Sequence, residues 1–416
     1  MKKTDRREPP RQAPLRLGEM LHRELHGFAL WAGLEVLGAW LESEREEACG
    51  PRYRHLAGRR AYRSGHAPGE LVMGGRRVRV RRPRARGVDG REVVLLSWRI
   101  FSEEDPLNER AFEQMVLGVA ARRYRRSLEA LPEGMSSRGA SRSAVSRRFV
   151  EASQAKLEEL LARPLEGLGL KVLMLDGLHF AEHVVLVALG IDGEGRKHLL
   201  GLTEGATENA SACVSLLTGL RERGLETSRS LLVVTDGSKA LSRAVREVLG
   251  EWALVQRCQV HKKRNVLEHL PQGMRPSVGA ALRQAYGSRD PERARRLLMN
   301  LAKQLEGEHP GATASLREGL EETLTVMGMG LAPALERTLS STNALENLLG
   351  SVRATSHRVK RWKGGGMILR WMAAALMEAE KGFRRVRGCQ GMARLSLVLA
   401  RNDERLNAEV KTVEAA

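Results

Sequence analysis

Two apolar runs in this chain close on an aspartate: LKVLMLDGLHF at Asp176 and RSLLVVTDGSKAL at Asp236, with a third acid, Glu346, far downstream in STNALENLLGSVR. A buried strand that stops at a carboxylate delivers it to the carboxyl edge of a sheet, where open α/β sheets hold their ligands. Three acids gathered there repel one another unless a proton or a hard cation intervenes. Mg²⁺ accepts one or two carboxylates and fills its remaining positions with water and phosphate oxygens, so the pattern suits phosphodiester chemistry. Each aspartate precedes a glycine, and Asp-Gly alone is a common turn pair. The strand before each one distinguishes them from turns. Spacing does not separate Glu346 from Glu336, Glu378 or Glu380; its setting does. The helix that carries it continues into Arg353, His357, Arg358, Lys360, Arg361 and Lys363, a basic track suited to a phosphate backbone.

The elements that must position these acids follow from periodicity. KVLMLD, HVVLVALGID and RKHLLGLTE form an antiparallel meander through the hairpin connections FAEH and DGEGR, which makes Asp192 and Glu194 turn residues and leaves His179 beside Asp176 as a phosphate donor or a packed hairpin residue. ENASACVSLLTGLRERG is helical, SLLVVTD a strand, SKALSRAVREVLG a helix and WALVQRC a strand. The order βββαβαβ is that of the ribonuclease H-like fold. There the first strand lies beside the fourth, so Asp176 and Asp236 would end on adjacent strands about 5 Å apart. After Cys258 the pattern stays helical and polar to about residue 335. The fold class expected is therefore α/β: a ribonuclease H-like domain over 166–260 and 339–390, an all-α insertion over 261–338, and a C-terminal tail over 391–416.

Composition points to the partner. Lys plus Arg number 69 against 50 Asp plus Glu, a net charge of +19 over 416 residues, which favours a polyanion through counterion release. No run approaches the roughly 20 apolar residues of a membrane span, and the amino terminus has no apolar signal core. A cytoplasmic, nucleoid-associated protein is expected. The four cysteines form no CxxC pair, which suggests reduced thiols. Aromatic content of 4% argues against a stacking platform for single strands and leaves duplex DNA as the better partner.

The positive charge is concentrated before the strands. Residues 51–86 hold twelve arginines, no lysine and a single acid, Glu70. Within them GGRRVRVRRP places Arg77, Arg79 and Arg81 on one strand face and Val78 and Val80 on the other, after a Gly74–Gly75 hairpin turn. Phosphate forks explain an all-arginine set; a charged, soluble edge strand is the plainer alternative. Residues 107–130 and 141–163 read as helices around the breaker PEGMSSRGA. The second has Ser141 as N-cap and Arg142 and Arg147 near its start, as in the recognition helix of a helix-turn-helix or in any basic bundle helix. A basic α+β DNA-binding region thus spans an arginine-rich helix and hairpin over 1–105 and a helical part over 106–165.

LDGLHF, TDGSKAL, VQRCQVHKKRNVLEHLP and STNALENLLGSVR, in this order, resemble the Mutator-type DDE transposases of bacterial insertion sequences. The resemblance is specific from about 170 to 385 and looser before that. It implies that Asp176, Asp236 and Glu346 are the catalytic, metal-holding triad, with Mg²⁺ as cofactor and Mn²⁺ as a substitute. It further implies recognition of terminal inverted repeats by the basic region, target DNA as a second substrate, and a homodimer or larger synaptic complex. Cys258 and His261 match the family's C-x-x-H element. They supply half of a tetrahedral zinc site with no second pair in sequence, so a structural or DNA-contacting role is expected of them. The expected reaction is hydrolysis at an element end followed by transesterification, over two Mg²⁺ ions about 4 Å apart. A ribonuclease H-like nuclease or resolvase, and a DNA-binding regulator descended from a transposase, are the alternatives.

Overall fold

The computed structural model describes residues 13–414 apart from 55–57, 104–106, 130, 132–134, 181, 206–208, 358 and 360. Two residues of the basic track, Arg358 and Lys360, lie outside the described residues. The chain divides into two compact units, 1–152 and 153–416.

In the first unit, helix α1 (Ala13–Cys49) precedes a hairpin of β1 (Ala61–Met73) and β2 (Arg76–Gly87), which pairs further with β3 (Glu92–Val93) and with a short strand later in the chain. Gly74 and Gly75 both have positive φ, +57° and +75°, as a two-residue turn between right-twisted strands requires. The expected alternation appears where it was read: Val78 is buried, Arg79 and Arg81 are exposed and Arg77 is half-buried. The arginines, however, are not one uniform set. Arg63 pairs with Glu42, Arg76 is buried and donates to the Glu129 carbonyl, Arg79 reaches Glu70 at 3.5 Å, and Arg82 and Arg84 both bind Glu92, at 3.0 and 2.9 Å. Acids from other elements thus turn part of the basic run into a scaffold, while Arg81 and Arg86 stay exposed with no ion pair among the described residues.

Two helices follow, α2 (Leu96–Glu103) and α3 (Leu107–Val116). The helix expected over 107–130 ends at Val116, two residues before Gly118 with φ +97°. Residues 117–141 then contain a 3₁₀ turn at Tyr124–Ser127 and strand β4 (Ser137–Arg138), which pairs with β2 through Arg77 and Val78. Helix α4 (Arg142–Ala162) comes only after them. Among the described residues, α3 and α4 are thus not joined by the turn of about three or four residues that a helix-turn-helix has. The capping expectation holds: Ser141 Oγ accepts the Ala144 N–H at 3.3 Å. Arg142 and Arg147 are exposed on α4.

The second unit is built on a five-stranded sheet. Its strands are β5 (Leu170–Phe180), β6 (His183–Asp192), β7 (Lys197–Glu204), β8 (Leu231–Thr235) and β9 (Ala253–Arg257), with α5 (Ala210–Glu222) and α6 (Lys239–Leu249) between them in chain order. The spatial order is β7-β6-β5-β8-β9, antiparallel in the meander and parallel from β5 through β8 to β9. The first strand therefore lies beside the fourth, as the element order requires. One expectation changes. β5 does not end at Asp176 but continues to Phe180 against β6; what stops there is its pairing with β8, whose last partners are Leu175 and Thr235.

Both faces of this sheet are covered, which explains why its strands read as nearly continuous apolar runs. Val172, Met174, Leu232 and Val234 point into one core, while Leu173, Leu175, Leu231 and Val233 point into another with Leu217 of α5 and Val245 of α6. The insertion comprises α7 (Gln259–Glu268), α8 (Arg275–Tyr286), α9 (Pro291–Leu305), α10 (Pro310–Arg317), α11 (Thr325–Gly328) and α12 (Pro333–Leu339). It has its own core, around Leu282, Leu298 and Leu316. The chain then returns to the first face of the sheet through α13 (Asn343–Ser356), α14 (Gly365–Glu380) and α15 (Met392–Glu414). The segment expected as a tail is thus a helix with Met392, Leu395 and Leu399 in the core, because three apolar residues at helical spacing find an uncovered sheet face. No described helix is long and apolar enough to cross a membrane.

Candidate active site

Side chains alternate along a strand, so Asp176 shares the face of Met174 and Leu178. That is the face on which α13 packs Leu345, Leu348, Leu349 and Val352. These four recur at the spacing of one helical stripe, and Glu346, beside Leu345, sits at its border in the first turn, where the helix dipole favours a carboxylate. Asp236 comes one residue after β8, in register beside Asp176, and its Oδ1 accepts the Ser238 N–H at 2.9 Å. Ser238 in turn caps α6 by accepting the Leu241 N–H at 3.2 Å. The three acids line one cavity of about 390 Å³ together with His179, His261, Arg264 and Arg353. Of the four glutamates that spacing left open, only Glu346 reaches it. Glu380 instead holds Arg163 and the Leu199 N–H, each at 2.9 Å, and Glu378 pairs with Lys381 at 2.7 Å.

The start of α7 ties the site together. Cys258 is fully buried; its N–H donates to Thr235 O at 2.8 Å, which carries the β8–β9 ladder one residue further. Its Sγ accepts the Thr342 N–H at 3.4 Å. The Thr342 hydroxyl stands 3.2 Å from Glu346 Oε1 and 3.6 Å from Cys258 Sγ, and its single proton serves one or the other. Gln259 N–H donates to Ser340 O at 3.0 Å. Cys258 is a small buried acceptor that links β8, just before Asp236, to the helix that carries Glu346. His261, one turn along α7, lies with Nε2 3.6 Å from Glu346 Oε1.

Electrostatics follow from burial and crowding. Burial raises the Asp176 carboxyl to about 6, with Asp236 and Glu346 pushing the same way, while His261 and the Gly177 N–H, which donates to it at 2.8 Å, pull down. The Cys258 thiol lifts His261 to about 9 against the opposing effect of burial, and Asp176 and Glu346 add to the lift. Burial opposes ionisation of Cys258, but His261 and the Thr342 N–H outweigh it and the thiol stands below its ordinary value. His261 thus stands as an imidazolium beside Asp176 at neutral pH.

Sequence reasoning missed Arg264. It lies three residues after His261, on the same helical face, a spacing that becomes informative only once α7 is placed over the acids. His179 is exposed and lines the cavity, so it is not a packed hairpin residue. Asp192 and Glu194 are turn residues as read: Asp192 Oδ1 accepts the Glu194 and Arg196 N–H groups at 2.9 and 2.8 Å. Arg361 is exposed beyond α13. A larger cavity, about 500 Å³, opens at the opposite, amino-terminal ends of β5 and β8. Its acids are interleaved with Lys171 and Arg229, and Asp403 is committed to the Ser230 N–H at 2.6 Å, so it lacks a convergent trio.

The model of the Mutator family of transposases matches residues 32–386. The chain is similar to the transposase for insertion sequence element ISRM5 of Rhizobium meliloti (strain 1021), 30% identical over 357 residues that cover 84% of this chain and 86% of that protein. It is also similar to the transposase for insertion sequence element IS6120 of Mycolicibacterium smegmatis, at 29% over 58% of this chain and 73% of that protein. A third relative is the transposase for insertion sequence element IS256 in transposon Tn4001 of Staphylococcus aureus, at 25% over 82% of this chain and 87% of that protein. A match running from α1 through α14, and so across all three acids, means that the chain belongs to the Mutator family of transposases.

Proposed function

We propose that this chain cleaves and joins DNA at the ends of an insertion sequence, using Asp176, Asp236 and Glu346 on a ribonuclease H-like scaffold. One observation carries the proposal: adjoining parallel strands and the first turn of α13 bring these three acids to a single cavity that also holds Arg264 and Arg353. The strand order, with the first strand beside the fourth, supports the scaffold.

The donor set fits Mg²⁺, with Mn²⁺ as substitute. It offers three carboxylates, hard oxygen ligands, and burial penalises the charge of Asp176, which a cation would relieve. Asp176, Asp236 and Glu346 would hold Mg²⁺, which when bound would supply Lewis-acid polarisation of the scissile phosphate and of the entering and leaving oxygens. Arg264 and Arg353 neutralise and orient the phosphates on either side. Thr342 holds the Glu346 carboxylate in place through its hydroxyl. With water as nucleophile, a phosphodiester at the element end is hydrolysed and a 3′-hydroxyl is freed; that hydroxyl then attacks a target strand, and one P–O bond replaces another without a protein-bound intermediate.

The basic region recognises terminal inverted repeats, with Arg77, Arg79, Arg81, Arg142 and Arg147 on phosphates and bases, while Arg353, Arg358, Lys360 and Arg361 track the backbone. Two chains or more assemble on paired ends, in the cytoplasm at the nucleoid. Arg81→Ala should lower the slope of log affinity against log salt by about one phosphate contact, similarly across DNA sequences. An unchanged slope in a filter-binding series would make Arg81 a solvated charge.

The deciding experiment is cleavage and joining on a labelled duplex bearing the flanking inverted repeat, with Mg²⁺ or Mn²⁺. Nicking at the element end plus joined product, both lost in Asp236→Ala, is the expected result. Tight binding without cleavage would replace this reading with a regulator, and cleavage without joining with a nuclease.

A further inference from the structure

We propose that Cys258, His261 and Glu346 form a second metal site, for a thiophilic divalent cation of the Zn²⁺ class, and that its occupation withdraws Glu346 from the acid trio and stops cleavage. The binding half stands on geometry alone; the inhibitory half rests on the role proposed above for Glu346.

One ligand atom from each of the three side chains lies within 4.8 Å of the other two, and among the described residues no other trio of such side chains meets that limit. The donors are sulfur, ring nitrogen and carboxylate oxygen. Magnesium avoids sulfur, whereas zinc binds this combination readily. The ligands of a tetrahedral zinc stand about 3.5 Å apart, given metal–ligand distances of roughly 2.0–2.3 Å. His261 Nε2 and Glu346 Oε1 are already 3.6 Å apart. The sulfur lies within 4.8 Å of both, and Glu346, one-third exposed, would exchange its Thr342 hydrogen bond for the metal as the three close in.

The surroundings are prepared for a bound ion. Cys258 is fully buried, and the Thr342 N–H is aimed at its sulfur, the kind of outer donor that steadies a metal thiolate. Nδ1 of His261 is buried without a hydrogen-bond partner and Nε2 faces Glu346 at 3.6 Å, so no hydrogen bond elsewhere fixes the ring against turning to a metal. His261 and Glu346 both line the acid cavity, which provides the way in and leaves a fourth position for water. Binding releases the thiol proton and one imidazolium proton to solvent. Glu346 cannot serve both sites in one geometry. A soft metal would therefore lock α7 to α13 in a state with two catalytic acids instead of three.

Cobalt provides the probe, because a Co²⁺–thiolate bond gives a near-ultraviolet charge-transfer band. Full-length protein stripped with chelator and titrated with Co²⁺ should develop that band and lose it on addition of Zn²⁺. Asp236→Ala and Cys389→Ser should keep the band, Cys258→Ser should abolish it and His261→Ala should weaken binding by at least about tenfold, the loss that outer-shell partners alone can cause. Absence of the band in the intact protein, or its survival in Cys258→Ser, would overturn the site; if Cys258→Ser proves unfolded by circular dichroism, unchanged binding in His261→Ala does the same. In the Mg²⁺ cleavage assay, zinc should stop the reaction, and Cys258→Ser, compared with its own zinc-free rate, should need at least about tenfold more. Equal zinc sensitivity would overturn the inhibitory half. A band in a protein that does not cleave DNA would sustain the metal site and remove the catalytic reading.

Discussion

Asp176→Asn should reduce metal-dependent cleavage by about 10³-fold or more and, in chelator at pH 7.5, yield a protein more stable than the unaltered one. The first effect follows from removing a charged oxygen ligand, where several kcal/mol of transition-state stabilisation are lost at about 1.4 kcal/mol per tenfold. The second follows from burial. Asp176 is only 6% exposed and its carboxyl stands near 6, against an ordinary value of 3.8. With its folded pKa raised, the group favours the fold fully below pH 3.8, and that contribution is lost as pH rises through about 6. Above that range ionisation costs the metal-free fold about 3 kcal/mol, most of which asparagine avoids. Urea unfolding in chelator at pH 5 and pH 7.5 tests this: the variant should gain at the higher pH and gain little at the lower. Equal stability at both values would show that Asp176 does not carry that charge penalty. Added Mg²⁺ should stabilise the unaltered protein and leave Asp176→Asn nearly unmoved.

Gly237→Ala should destabilise the fold by about 2–4 kcal/mol and slow cleavage by about 10²-fold, although residue 237 has no functional group to lose. Gly237 has φ +88°, and a Cβ built there would fall 2.0 Å from Arg257 Nε. Arg257 cannot yield easily. It is 5% exposed, and its guanidinium donates to Glu318 O at 3.0 Å and to Glu318 Oε2 at 3.2 Å. The backbone must move instead, and Asp236 is the preceding residue. Gly250→Ala is the control: its φ of +60° and ψ of −146° also disfavour alanine, by about 1–3 kcal/mol, but a Cβ there meets nothing within 4 Å, so no neighbour is displaced. Matching melts and matching cleavage rates for the two variants would refute the argument that the close approach to Arg257 fixes Asp236.

What the sequence disclosed was local. The alternation of Val78 with its flanking arginines, the Gly74–Gly75 turn, the Ser141 cap and the apolar runs before Asp176 and Asp236 all depend on neighbours within a turn or a strand, and all were readable. The side-chain chemistry of the three acids was readable for the same reason. Where local pattern misled, a distant element decided. The helix expected to Ala130 stops at Val116, and the segment after it instead contributes a strand to β2. β5 runs on past Asp176 because β6 offers partners as far as His183.

Twelve arginines that look alike in sequence are divided by tertiary contacts, since the groups that bind several of them, the carboxylates of Glu42 and Glu92 and the backbone carbonyl of Glu129, sit outside their window. Glu346 could be preferred in sequence for its basic setting, but what Glu380 does instead, holding Arg163 and the Leu199 amide, is visible only in the fold. The meeting of Cys258, His261 and Glu346 has no trace in spacing, because a whole helical insertion with its own core separates the first two from the third. Periodicity and side-chain chemistry act over a few residues and can be read from one chain. Which carboxylate meets which cation or thiol depends on closing long loops onto packed faces, and only the folded chain settles that.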